Sequence, residues 1–221
     1  MTWMQYLPPL LRGARTTAEL AALSTVIGAI LSFSAGVARA EGGRLISWLA
    51  IGYVELFRGT SLLVQLFWLY YALPLIGLSL DPVTTGVLGL SLNIGAYGAE
   101  VVRGALLSVP RPQREAACAL NFNRWDALLH IYLPQAIVEM MPSFGNLAIQ
   151  NLKDTSLVSL ISISDLTFRA QALRNVTLDN IRIYSLTLLG YFLMALILTA
   201  ILRVIERTVR RGSAFPAAAH A

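Results

Sequence analysis

Residues 114–134 read REAACALNFNRWDALLHIYLP, a helix-forming run with a turn at its centre, set between long stretches that carry no charge. Arg, Glu, Ala and Leu favour helix, so residues 113–120 predict a short helix. Pro110 and Pro112 open it, where a missing amide hydrogen costs little. Asn121 follows, the best residue after glycine for a left-handed turn. A second short helix is expected over residues 124–131, and Pro134 marks the start of the next one. In a chain with only 13% charged residues, a polar helix of this kind has to lie outside lipid and meet something there.

On either side the chain is apolar. It is 56% hydrophobic, with a mean hydropathy of +0.64. Four runs carry no charge and are long enough to cross a bilayer: residues 20–38, 59–80, 82–99 and 183–202. Small residues alternate with Leu and Val along them, which lets packed membrane helices approach closely. The chain therefore predicts an all-α integral membrane protein. The first run lacks the early basic region and small-residue cleavage site of a signal peptide and is expected to be retained. The net charge of +5 does not mark a nucleic-acid binder, because no basic stripe interleaves with aromatics. The single cysteine, Cys118, excludes an internal disulfide and reads as an inert thiol on the loop helix.

Arginine placement orients the spans, since cytoplasmic loops are enriched in Lys and Arg. Arg103, Arg111, Arg114 and Arg124 put the central loop inside, and Arg203, Arg207, Arg210 and Arg211 put the last segment inside. Two inside segments need an even number of crossings between them, yet only residues 183–202 form a clean span there. A weak span must lie in residues 135–163, despite Glu139, Pro142, Lys153 and Asp154. The result is five transmembrane helices, amino end outside and carboxyl end inside. Eleven cations fall inside, five outside (Arg12, Arg15, Arg169, Arg174, Arg182), and Lys153 within the membrane.

Leu45, Trp48, Leu49, Tyr53 and Leu56 recur at helical spacing and predict an interfacial helix between the first two spans. Residues 1–11, with Trp3, Tyr6 and the pair Pro8-Pro9, read as a second surface segment on the opposite side. The organisation expected is an outer interfacial segment over residues 1–15, one membrane domain over 16–211 with its loop at about 110–134, and a disordered cytoplasmic tail over 212–221. No internal repeat stands out. His220 in the tail has no sequence partner, and no metal site is expected.

The loop helix has two physical readings. It lies on the lipid surface as an ordinary amphipathic helix, or it fits a groove on a soluble partner, which needs apolar anchors with charges at the rim. In the second reading Ala116, Ala117 and Leu120 supply the buried face, and Arg114 and Glu115 the rim.

The whole segment, EAA followed by a turn and then IYLP at residues 131–134, resembles the cytoplasmic signature loop of ABC importer permeases. Asn121 stands where that signature has glycine. Three further segments are similar to permeases of the histidine/glutamate/glutamine/arginine/opine group: ELFRGTSLLVQLFWLYY at 55–71, NIGAYGAEVVR at 93–103 and KDTSLVS at 153–159. Ser61 replaces a usual proline in the first of these. The likeness runs from about residue 16 to residue 207, and its four motifs come in the family's order. It implies a type I ABC importer permease of the bacterial inner membrane, with Arg114, Glu115, Ala116, Ala117, Leu120 and Asn121 coupling it to an ATPase.

The implied partners are a second, similar permease subunit or a second copy of this chain, two ABC ATPase subunits, and a periplasmic solute-binding protein. The chain has no G-x-x-x-x-G-K-[ST] loop, so ATP and Mg belong to the ATPase and the chain is not itself an enzyme. The cargo expected is a polar amino acid or a related zwitterion such as ectoine. An ion-coupled secondary transporter or channel is the alternative, and would show inverted repeats and paired broken helices.

Ionisable and polar groups within spans are the remaining candidates. Asn93, Tyr97 and Glu100 share one helical face and either line a solute path or, for Glu100, pair with Arg103. Gln65 is equally a path residue or an inter-helix bond. Gln150, Lys153, Asp154, Thr155 and Ser156 are expected to form part of a gate or path, with Lys153 and Asp154 neutralising each other or seeking partners on other helices.

Overall fold

A computed structural model describes the backbone of residues 3–212 and the side chains of residues 6–210. The predicted tail, with His220, lies outside the described residues except for Gly212. Among the described residues every regular element is helical.

Helix α1 spans Trp3–Glu41 without interruption and contains Pro8 and Pro9. Its hydroxyls turn back onto its own backbone: Ser24 Oγ donates to the Leu20 carbonyl and Ser32 Oγ to that of Gly28, each at 2.7 Å. That satisfies polar groups an apolar environment would leave bare. A separate surface segment is predicted over residues 1–11; of these, the described residues 3–11 are the first turns of α1. Tyr6 and Leu10 are buried there against Leu166, Ala170 and Ile183, so packing decides the conformation over the local proline pair.

Helix α2, Arg44–Gly59, buries Ala50 and Val54 and leaves Leu45, Trp48, Leu49 and Leu56 exposed. This is the apolar face expected of an interfacial helix. After Thr60 the chain bends by 103° into α3, Leu62–Phe67, which continues through a π-helical turn, Trp68–Ala72, and a 3-10 turn, Leu73–Ile76. Gly77, at φ 89°, ends it. The uncharged run over 59–80 is therefore shorter as a helix than as a sequence.

Helix α4, Pro82–Leu107, begins at Asp81, whose carboxylate accepts the Thr84 N–H at 3.0 Å. Hydrogen bonding by the Thr84 side chain, and then by its N–H, holds the Asp81 carboxyl below its ordinary range. The helix runs past the predicted end at residue 99 to take in Glu100 and Arg103. It packs parallel to α1 at very short range. A Cβ on Gly36 would sit 2.8 Å from the Ala99 carbonyl oxygen, and Gly28 lies against Ile94 and the Ser91 backbone.

Helix α5, Arg111–Ala119, is followed by Asn121 in the left-handed region at φ 57°. Helix α6, Arg124–Ala127, is capped by Asn123, which accepts the Asp126 N–H at 2.9 Å. A π-helical turn, Leu128–Tyr132, leads into α7, Leu133–Asp154. Helix α7 runs antiparallel to α1: Phe33 and Phe144 stack with ring centres 5.7 Å apart, and Asn151 reaches Ser24 further along. A 3-10 turn, Thr155–Ile161, ends at Ser162, φ 67°.

The sequence does not predict α8, Leu166–Thr177, capped by the buried Asp165, whose carboxylate accepts the Phe168 N–H at 2.8 Å and the Thr167 N–H at 3.2 Å. Burial pushes that carboxyl above its ordinary range, against the pull of these bonds. Helix α9, Asn180–Gly212, is the last element among the described residues. Among the described residues two helical stretches, Tyr6–Glu41 and Asn180–Arg210, are long and apolar enough to cross a membrane on their own, and the bent pair of α2 with the segment Leu62–Ile76 is a third if it counts as one span.

Candidate functional site

The loop between α4 and α7 is not a loose arm. Ala117 is 2% exposed and packs with Leu128 and Tyr132 into a cluster that includes Val102, Leu106 and Ala136. Arg114 turns the same way. Its Nη2 donates to the Leu106 carbonyl at 2.6 Å, its Nη1 lies 3.8 Å from Glu41 Oε1, and its guanidinium stands 4.8 Å from the centre of the Tyr132 ring. Gln113 bonds the Gln135 side chain at the start of α7. Glu115, Ala116 and Leu120 face away, with Leu120 71% exposed.

The expected division of labour is thus altered. Arg114, expected at the rim, is partly buried with its guanidinium turned to the bundle, and Ala117, expected on the apolar contact face, is buried in the bundle. Phe122 and Trp125, which the sequence reading passed over, stand exposed beside Leu120. Asn121 has the geometry its residue type suggests, with its N–H donating to the Cys118 carbonyl at 3.0 Å.

A cleft of about 370 Å³ opens between α4 and α7, with Thr60, Asn93, Tyr97, Gln150, Asn151 and Asp154 among its lining residues. Gln150 Nε2 donates to Asp154 Oδ1 at 2.9 Å. Lys153 is exposed and does not line the cleft, so the adjacent pair splits: Asp154 toward the cavity, Lys153 away from it. Thr155 is buried, with its hydroxyl donating to the Leu152 carbonyl at 2.7 Å, and the Ser156 carbonyl accepts the Ser159 hydroxyl. Those two serve the end of α7 and do not line the cleft. One carboxylate among amides and hydroxyls can balance an ammonium group and leaves hydrogen bonds for a polar remainder.

Gln65 makes the inter-helix bonds of one of its two readings. It is buried, its Nε2 donates to the Phe57 carbonyl at 2.9 Å and to Thr60 Oγ1 at 2.8 Å, and its Oε1 accepts Asn93 Nδ2 at 3.3 Å. These bonds pin the bend between α2 and α3 onto α4. Asn93 spends a second contact on the Phe57 carbonyl, at 3.2 Å, and still borders the cleft.

Glu100 pairs with Arg103, at 2.9 Å to Nη2, and also with two residues the sequence reading did not connect to it. Arg39, at the end of α1, forms an ion pair with its carboxylate, and Arg58, at the end of α2, comes within 3.8 Å. The Arg58 guanidinium also lies 5.4 Å from the centre of the Tyr97 ring. The available signal was positional: Arg39 and Arg58 border uncharged runs at the level where Glu100 ends another. Asn151, inside the stretch 150–156 expected to form a gate or path, is 3% exposed and donates to Ser24 Oγ at 2.7 Å and Thr25 Oγ1 at 2.9 Å, tying α7 to α1.

Comparison with known proteins places this geometry. The profile of the family described as "Binding-protein-dependent transport system inner membrane component" matches residues 7–211. The chain is 53% identical over 217 residues to a probable amino-acid ABC transporter permease protein, y4tF, of Sinorhizobium fredii, covering 96% of this chain and 91% of that protein. It is 36% identical over 206 residues to the glutamine transport system permease protein GlnP of Escherichia coli, covering 92% and 94%. Among solved structures, a chain of an amino acid ABC transporter crystallised with histidines superposes with a TM-score of 0.85 at 33% identity, covering 93% of this chain and 96% of that one. The MetNI methionine ABC transporter in an inward-facing form shares the fold, with a TM-score of 0.81 at 16% identity.

Proposed function

This chain belongs to the family of binding-protein-dependent transport system inner membrane components, and on that premise we propose that it is the permease subunit of an ABC importer for a polar amino acid or a related zwitterion. It is an inner-membrane protein with an all-helical type I importer permease fold. Our reading gives it five crossings, with the amino end outside and the carboxyl end inside. The alternating directions of α1, the α3 segment, α4, α7 and α9 support this, as does the arginine bias.

In this reading the loop at residues 110–134 meets an ATPase, with Glu115, Ala116 and Leu120 on the contact surface and Asn121 setting the turn. ATP and Mg are held by that ATPase. A second permease subunit, identical or related, completes the path, and a solute-binding protein delivers cargo from outside. The amino-acid cargo is supported by the named functions of the relatives and by the cleft, where Asp154 is available to an ammonium group.

The observation that carries the proposal is the attachment of α5. It is locked to the bundle on one face and offers an exposed acidic and apolar face on the other, which is what a helix passing force from a soluble partner requires. Co-purification with the ATPase tests it. The wild-type chain retains the ATPase, and Glu115→Arg releases it. Retention by both, or by neither, refutes this contact.

A further inference from the structure

We infer that Arg114 is the strut that carries movement of α5 into the helices lining the cleft, and is not a contact to the ATPase; this rests on the importer reading above. Three attachments converge on its single guanidinium. The Leu106 carbonyl it bonds lies in the last turn of α4, where helix carbonyls have no partner of their own and attract positive charge. Glu41 is the last residue of α1. Tyr132 closes the π-helical turn that feeds α7.

The chemistry suits arginine. A planar, permanently charged fork donates along its edge while its face stacks on an aromatic ring. Lysine, a compact point charge, keeps the attraction to Glu41 and loses the simultaneous stacking and edge geometry. Ala117 packs into the same cluster, but a methyl group supplies no directional restraint, and the bond of Gln113 to Gln135 reaches the start of α7 alone. Arg114 therefore joins α4 to α7, and those are the helices that supply Asn93 and Tyr97 on one side of the cleft and Gln150 and Asp154 on the other. A push on α5 then displaces both walls together, and without the guanidinium its directional link to the α4 wall is lost while Gln113 still reaches α7.

The test uses the whole complex in vesicles: permease, ATPase and solute-binding protein. Uptake of radiolabelled L-glutamine, L-cystine and L-histidine is measured with the wild type, and the amino acid it accumulates serves for the variants. Arg114→Ala is expected to keep the ATPase bound and ATP hydrolysis within roughly three-fold of wild type, while the amino acid accumulated per ATP falls about ten-fold. Arg114→Lys is expected to fall between the two, and Glu41→Gln and Tyr132→Leu to lower the same ratio by about two- to five-fold each.

The inference is overturned if Arg114→Ala sheds the ATPase as Glu115→Arg does, or if it transports at the wild-type ratio. Should Arg114→Ala fail to reach the membrane, Glu41→Gln and Tyr132→Leu decide: a lowered ratio supports the strut, and an unchanged ratio in both overturns it. A wild-type complex that binds no ATPase and accumulates no amino acid defeats the importer reading instead, which keeps the two failures apart.

Discussion

The side-chain amide of Asn151 on α7 donates to the hydroxyl of Ser24 on α1 at 2.7 Å, inside a protein region where both residues are buried. Bonds between helices in an apolar setting contribute about 0.6–2 kcal/mol. Asn151→Leu is expected to lower stability by about 1–2 kcal/mol, because Thr25 Oγ1 also loses its donor. Thermal unfolding in detergent measures it, and an unchanged Tm removes the bond from the account of how α7 is held.

Gly36 and Gly52 should respond to alanine in opposite ways. A Cβ on Gly36 would sit 2.8 Å from the Ala99 carbonyl oxygen, whereas one on Gly52 meets nothing within 4 Å. Gly36→Ala has to separate α1 from α4 and should cost about 1–3 kcal/mol. Gly52→Ala, inside α2, should stabilise by about 0.5–1 kcal/mol through helix propensity. Equal effects from both would contradict the close approach of α1 and α4.

Asp154 and Lys153 are neighbours in sequence, but only Asp154 lines the cleft. Asp154→Ala is expected to raise the apparent KM for the transported amino acid by about ten-fold, by removing a charge partner for its ammonium group. Lys153→Met, on an exposed side chain outside the cleft, should change it by less than about two-fold. Uptake kinetics over a range of solute concentrations distinguish the pair, and a larger effect at Lys153 would exclude this cleft from the path.

The left-handed turn at Asn121 makes a backbone prediction. Asn121→Gly should be tolerated at full transport, since glycine adopts φ near 57° without penalty. Asn121→Val should strain the turn by about 1–2 kcal/mol and reduce ATPase co-purification. Indifference to valine would mean the loop does not hold this conformation in the assembled complex.

Much of the central loop was legible because its signals are local. Pro110 and Pro112, the Ala-rich run, Asn121 and Pro134 each constrain their own backbone, and the helices begin and end close to them. The facing of α5 was not legible. With alanine at 116, 117 and 119, sequence offers no contrast between sides, and only the bundle selects Ala117 and Arg114 to turn inward. The three-arginine surround of Glu100 was hidden for a related reason. Arg39 and Arg58 reach it from other helices, and the sequence showed only Arg103, one turn away.

Helix α8 escaped notice because its polar composition lacks the apolar run of a span, and its first turn is set by a cap, Asp165, buried by distant parts of the chain. The bend after α2 was implied by an interfacial helix leading into a span, but its fastening was not: Gln65 on α3 reaches back to the Phe57 and Thr60 carbonyls.

The brevity of the segment Leu62–Ile76 has a consequence for the surrounding membrane. Fifteen residues of α-, π- and 3-10 helix rise about 24 Å, against a hydrocarbon layer about 30 Å thick. In the crossing we assign to it, acyl chains must compress or solvent must wedge in beside Thr60 and Ser61, at the rim of the cleft. In that crossing hydrophobic mismatch thins the dielectric barrier beside the cleft we assign to the solute.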